Sequence, residues 1–186
     1  MNALFFIQIL LLPLGGTLNT SPIINLPDQE AHILEDNKFH PVGEFTRVKI
    51  KRMWFSEKAY NLCFNFSRII SGHHPLIASI RLNKAASQHA RYQAQKGGPC
   101  THVNFKSRSE KFSFDAENVA VGYKTNIGAL FGWISSDGHR KNMYGYDHIL
   151  MGTGFYKRVE ITYKRKNGKA RRIEKTKTKY YTQVFK

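Results

Sequence analysis

Three short segments hold the side chains able to do chemistry: Cys100-Thr101-His102, Ala116-Glu117-Asn118 and Ser135-Ser136-Asp137-Gly138-His139-Arg140. Two imidazoles and a carboxylate meeting from separate loops suit Zn2+ or another divalent cation, and three protein ligands leave one position open. The same groups can instead form a hydrogen-bonded network that ties loops to a sheet, with Glu117 accepting from backbone N–H groups or an imidazole. A third use is nucleophilic: Ser135 or Ser136 activated by His139, with Glu117 orienting the ring. Against that use, Asp137-Gly138 reads as a cap and turn before a short helix over His139 to Met143, and no strand-turn-helix elbow surrounds the serines. His89 falls on the inner face of a helix and reads as a packed core histidine. His73-His74 stands before Pro75 in a turn.

The elements that must position these residues follow from periodicity. Tyr60, Phe64 and Ile69-Ile70, with Ala59, Leu62, Cys63 and Phe66 near them, recur at helical steps until Ser71-Gly72 and Pro75. A second helix is predicted over Leu82 to Lys96, with Leu82, Ala86, His89 and Gln93 on one face and Gly97-Gly98-Pro99 as its stop. Cys100 to Phe114 has no clear period and reads as a long loop. Asn118 to Tyr123 is a short apolar segment, and a third helix is predicted over Ile127 to Ser135. Ile149 to Lys166 and Lys169 to Phe185 are β-rich and meet at Asn167-Gly168, the dipeptide of a type I′ hairpin. Val159, Ile161 and Tyr163 alternate with polar residues, so one hairpin face is expected to be buried. Helices first and a strand pair last predict an α+β or α-β-α sandwich.

The 186 residues carry 29 Lys and Arg against 13 Asp and Glu, a formal charge of +16. Hydrophobic content of 41% excludes a wholly disordered basic tail, and two cysteines exclude a disulfide-dense mini-protein or a four-thiolate zinc site. Ala3 to Leu14 is apolar, too short for the roughly 20 residues of a bilayer span, and is followed by small polar residues. Residues 1–20 are therefore expected to be a signal peptide and the remainder a secreted protein with no transmembrane helix. Residues 21–54 read as a polar arm ending in Arg47-Val48-Lys49-Ile50-Lys51-Arg52, either an edge strand or a basic stripe, and 55–186 as the domain proper. In an exported chain Cys63 and Cys100 either pair or remain free. Asn65-Phe66-Ser67 is a formal glycosylation sequon.

Between Lys157 and Lys179 eleven Lys or Arg face only Glu160 and Glu174, a net charge of +9. Lys164, Arg165, Lys166, Lys169, Arg171, Arg172 and Lys175 are thus candidates for binding an anionic surface, by salt-dependent attraction without a sequence code. The alternative is a solvated edge that lysines protect against strand addition. Nucleic acid is disfavoured as a partner, because neither an RNP-like aromatic pattern nor a zinc finger nor a recognition helix is present.

Six motifs, in order, resemble the CAP superfamily of cysteine-rich secretory, antigen and pathogenesis-related proteins, or SCP domains, in its shorter bacterial-type branch. They are Asn65-x-x-Arg68-x-x-x-Gly72-x-x-Pro75-Leu76, then Leu82 with Ala86-x-x-His89-Ala90 and Ala94, then His102. Ala116-Glu117-Asn118-Val119-Ala120 is next, then Trp133-x-x-Ser136-x-Gly138-His139-Arg140-x-Asn142-Met143, and last Gly152-x-Gly154 with Tyr180-Tyr181-Thr182-Gln183-Val184-Phe185. The resemblance implies a three-layer α-β-α sandwich with a central antiparallel sheet and a cleft of two His and two acids that takes divalent metal, commonly Zn2+, in some members. His102 and Glu117 match the first His and Glu. Ser136 and Tyr180 stand where the larger branch has its second Glu and second His, while the shorter branch places His139 in the cleft, so at most three of four groups remain. The implied function is a secreted binding or defence module for lipid, sterol, an anionic surface or a protein partner. The alternatives are a metal-dependent or nucleophilic hydrolase using the same cleft, and a basic secreted toxin or antimicrobial protein.

Overall fold

The computed structural model describes residues 43–145 and 147–186. The expected leader over 1–20 and the arm as far as residue 42 lie outside the described residues. The chain runs β1 (Gly43–Arg52), α1 (Trp54–Ile70), β2 (Ile77–Ala78), α2 (Ile80–Lys96), α3 (Phe105–Phe112), β3 (Ala116–Val121), α4 (Asn126–Ile134), α5 (Asp137–Tyr144), β4 (Leu150–Lys166) and β5 (Lys169–Phe185). The strands form one sheet in the order β1-β4-β5-β3, antiparallel throughout, and the two residues of β2 add to β4 in parallel. Helices cover both faces, so the fold is the expected α+β sandwich.

Strand alternation sorts the two cores. Met151, Phe155, Tyr181 and Phe185 turn to one face and pack with Tyr60 and Phe64 of α1 and Leu130 and Trp133 of α4. Tyr60 stands edge-on to both Trp133 and Phe155, and its hydroxyl donates to Gln183 Oε1 at 2.7 Å. Val184 turns to the other face, against Leu82, Ala85 and Ala86 of α2 and Phe112 and Phe114 at the end of α3. On that face α2 lies almost on the backbone of β4. A Cβ at Gly152 would stand 2.1 Å from Leu82 C, and one at Gly154 2.3 Å from Ser87 N. The Gly152-x-Gly154 spacing therefore serves close approach, and the alanines of α2 serve it from the other side.

Several expectations change. The domain takes in Gly43–Arg52 as well as residues 55–186, because β1 pairs with β4 from Gly43↔Arg165 to Arg52↔Tyr156; of the two readings of the basic stretch, it is an edge strand. The loop expected over Cys100 to Phe114 contains α3, a helix whose short amphipathic pattern is masked by its polar residues. The hairpin turn has φ of 50° at Asn167 and 73° at Gly168, as a type I′ turn requires. Its expected buried face is realised only at the root: Val159 is buried, Ile161 and Tyr163 are half-buried, and Lys169 to Lys177 are all exposed. The helices end too soon to cover the rest. Arg158 Nη1 donates to Ala94 O and Gln95 O in the last turn of α2, and beyond that level β1, β4 and β5 continue as a three-stranded arm.

Cys63 and Cys100 are both free. Cys63 packs against the α1 core, whereas Cys100 follows α2 near Tyr180 on the opposite face, so the sheet separates the two thiols. The sequon is not available as it stands, since Asn65 uses its amide on the backbone of Leu76, donating to the carbonyl and accepting from the N–H at 2.9 Å each.

Replacing Gly154 by Val pushes a branched side chain into the α2 backbone, where nothing flexible can yield. We expect a loss of about 3 kcal/mol or more in chemical unfolding, against under about 1 kcal/mol for Gly138→Ala, whose Cβ would meet no atom within 4 Å.

Candidate functional site

Glu117 pairs with Val184, and this register turns its carboxylate to the α2 side of the sheet, where it is 4% exposed. A carboxylate so deep requires compensation. Arg108 of α3 supplies it with a two-pronged grip, Nη1 at 2.5 Å from Oε2 and Nη2 at 2.9 Å from Oε1. The guanidinium is held in turn by Nε donating to Val103 O at 3.1 Å and by its place over the Phe114 ring. Burial alone would push the Glu117 carboxyl up, but Arg108, the His102 hydrogen bond and His89 outweigh it and hold it below the usual carboxylate range.

An ionised carboxylate only accepts, so His102 donates from Nδ1 to Glu117 Oε1 at 3.0 Å. The ring is half-exposed. His89 is buried and donates from Nε2 to Thr101 O at 2.8 Å, while Thr101 N donates to Gln93 Oε1 at 3.1 Å. These two bonds pin the Cys100-Thr101-His102 segment to α2. Burial lowers the His89 pKa, with Glu117 opposing. The inward histidine is thus a packed one that also borders the carboxylate, 3.8 Å from Oε1.

His139 enters from α5, near the Trp133 ring. Burial lowers its pKa, and the charge of a protonated His102 lowers it further, which places the two imidazoles within electrostatic reach. Asn118 Nδ2 donates to His139 O at 3.1 Å, and Asn142 Nδ2 donates to Asn118 Oδ1 at 2.9 Å and to Glu117 O at 3.3 Å, tying α5 to the edge strand β3. Ser136 precedes α5, its carbonyl accepting from Arg140 N at 2.7 Å, and its side chain makes no capping bond. Among the described residues no hydrogen bond joins Ser135 or Ser136 to an imidazole. Tyr180 is buried and donates to Gly98 O at 3.2 Å. Beside the cluster a cavity of about 320 Å³ is lined by Phe105, Asp115, Ala116, Glu117, Asn142 and His148.

The donor set does not fit a resident divalent cation. Both oxygens of Glu117 are taken by Arg108, and a metal drawing on them would strip a guanidinium of its partner in a buried site. Among the described residues no three His, Cys, Asp or Glu converge as such an ion needs. What the arrangement offers is an imidazole oriented by a carboxylate, without a nucleophile at hydrogen-bond distance. Arg108 is the residue that sequence reasoning missed: it stands in a stretch read as a loop, and a charge that pairs across the fold leaves no local pattern.

Arg108→Ala leaves Glu117 buried and uncompensated and is expected to cost about 3 kcal/mol; Arg108→Ala/Glu117→Gln should recover part of it in the same unfolding assay. Glu117 contributes stability above its unfolded value of 4.5, lost as pH falls through its lower folded value. His89 and His139, also depressed, bind protons more readily unfolded, so stability should begin to fall below 6.5. Melting temperature against pH should be flat near neutrality, decline below about 6.5, and decline again below about 4.5; a curve that rises on acidification would contradict this.

A family model described as the cysteine-rich secretory protein family, CAP, matches residues 64–173, more than half of the chain. No curated protein matches. Among solved structures the chain is similar to an extracellular protein containing an SCP domain from Bacillus anthracis, with a TM-score of 0.52 and 19% identity, covering 70% of this chain and 40% of that one. It is also similar to an outer surface protein from Borrelia burgdorferi, with a TM-score of 0.51 and 14% identity, covering 73% of this chain and 97% of that one. The chain thus spans less than half the length of the Bacillus protein, and both likenesses are of fold. The matched residues include His102, Arg108, Glu117 and His139, and on this match the chain belongs to the cysteine-rich secretory protein family, CAP.

Proposed function

We propose that the protein is a secreted, non-catalytic binding module that adheres to anionic surfaces through its three-stranded arm. The observation that carries this reading is the arm itself: the densest run of base in the chain lies where neither helical layer covers it. The cleft supports the non-catalytic part, since Arg108 holds its carboxylate and, among the described residues, no hydroxyl is hydrogen-bonded to its imidazoles. Secretion rests on the apolar leader, and the likeness to an extracellular protein and an outer surface protein agrees with it. No helix among the described residues is long and apolar enough to cross a membrane.

A column of sulfated polysaccharide tests the adhesion. The full chain should be retained at low salt and released steeply as salt rises, because each neutralised contact releases counterions. Reversing four arm charges together, Lys164, Arg171, Arg172 and Lys175 to Glu, should abolish retention while leaving the circular dichroism unchanged. Retention that ignores both salt and charge reversal would sink the reading.

A second reading has its own observation. An open groove of about 590 Å³ lies between the end of α1, α4 and α5, with an apolar wall of Ile70, Phe131, Ile134 and Tyr144 and a charged rim of Asp137, Arg140 and Lys141, an arrangement that suits an acyl chain or sterol with a polar head. Displacement of a fluorescent fatty acid, with at least about tenfold weaker binding by Phe131→Arg, is the expected result; equal binding by the variant would remove the groove from consideration.

A further inference from the structure

The charges of the arm are segregated by face. Residues directly paired across an antiparallel ladder share a face, and successive residues alternate. Contacts on the α2 side bear this out: Thr46 meets Thr162 at 3.0 Å, Glu44 meets Lys164 at 3.9 Å, and Thr176 donates to Glu160 at 3.3 Å. Glu174, paired with Thr162, belongs to that same face. Every acidic residue of the arm therefore lies on the α2 side. Among the described residues, the opposite face, the one that carries α1 farther along the sheet, has none.

What that face holds is cationic and aromatic. β1 contributes Arg47, Lys49 and Lys51, opposite Ile161, Val159 and Lys157 of β4. β5 contributes Lys175 and Lys177, and the register slip at Thr162/Tyr163 brings Arg172 opposite Tyr163, onto this face. Phe45 stacks on Tyr163 with ring centroids 5.2 Å apart, and the guanidiniums of Arg47 and Arg165 lie over the Phe45 ring. The sheet thus sets cations in two dimensions, about 6.8 Å apart along β1 and along β5, and about two strand spacings of roughly 4.8 Å apart across the β4 strand that lies between them.

The same side of the molecule bears an exposed apolar ridge that no other described residue covers. Along the outer surface of α1, Phe55, Leu62 and Phe66, at steps of seven and four, are 70%, 60% and 52% exposed. Trp54, 47% exposed, stacks on Phe55 where α1 leaves the end of β1, so the ridge begins at the root of the arm. A linear polyanion would engage the cations and leave this ridge in water. A bilayer with anionic headgroups uses both, and two weak signals together are what stable peripheral attachment requires.

We infer that the acid-free face of the arm and the outer ridge of α1 form one surface that docks on membranes containing anionic lipid. This rests on the anionic-surface reading above and specifies its partner.

The test is sedimentation of the full chain with phosphatidylcholine vesicles, with and without phosphatidylserine, read alongside tryptophan emission. The chain has two tryptophans, and Trp133 is only 1% exposed, so a spectral change reports Trp54. Phosphatidylserine vesicles should capture the protein and shift its emission to the blue. Lys175→Glu/Lys177→Glu should weaken capture by about tenfold or more, and Lys166→Glu/Lys169→Glu, the same charge change on the other face, by less than about threefold. Phe55→Ser/Phe66→Ser should weaken vesicle capture while leaving retention on the sulfated polymer unchanged. Equal losses from the two lysine pairs, or capture without a blue shift, overturn the inference. Retention on the polymer with no capture by vesicles overturns it too and leaves the anionic-surface reading standing, whereas binding to neither overturns both.

Discussion

The seating of α2 on the backbone of β4 is the constraint from which the rest of the structure follows. Two glycines on the strand and a run of alanines on the helix remove the side-chain layer that normally separates such elements. The layer left between helix and sheet is thin, and it places His89 of α2 beside the carboxylate that β3 presents. It also lets Arg158 reach the last carbonyls of α2, so one guanidinium both closes that helix and marks where helical cover of the sheet ends.

Within that layer the governing term is charge compensation. Glu117 is nearly inaccessible, and an ion at such depth persists only with a matched partner. Arg108 is that partner, and its planar fork takes both oxygens. His102 and His89 are then ordered around an anion already neutralised by one cation, and burial holds the pKa of His89 down. The cluster is a lock between α2, α3, β3 and the loop before α3. The same lock explains why a donor set that looks suited to zinc on paper does not fit it in space.

The arm obeys a different rule. Past Arg158 no helix among the described residues supplies an apolar partner, and strand pairing, one aromatic stack and its flanking guanidiniums organise three strands. An alternating strand sorts charge by parity, and in this arm the parity puts every Glu on one face. A net charge concentrated on one hairpin of the chain is therefore also strongly directional on the surface.

Much of this was legible in the residues. Tyr60 and Phe64 at helical spacing, the glycine stops and Asn167-Gly168 between two β-rich runs act locally, through backbone preference and periodicity, and they predicted α1, α2, α4, α5 and the hairpin, while the ordered motifs around His102, Glu117 and His139 implied the sandwich by resemblance. Arg108, the free cysteines and the limit of hairpin burial were not legible. Each depends on which face of the sheet a residue meets and how far a helix from elsewhere in the chain extends over it. Local spacing determined what the elements are and which residues they carry; only the tertiary structure decided that Arg108 closes on Glu117, that the sheet divides Cys63 from Cys100, and that the basic arm turns an acid-free face outward, because each requires segments distant in sequence to be brought together by packing.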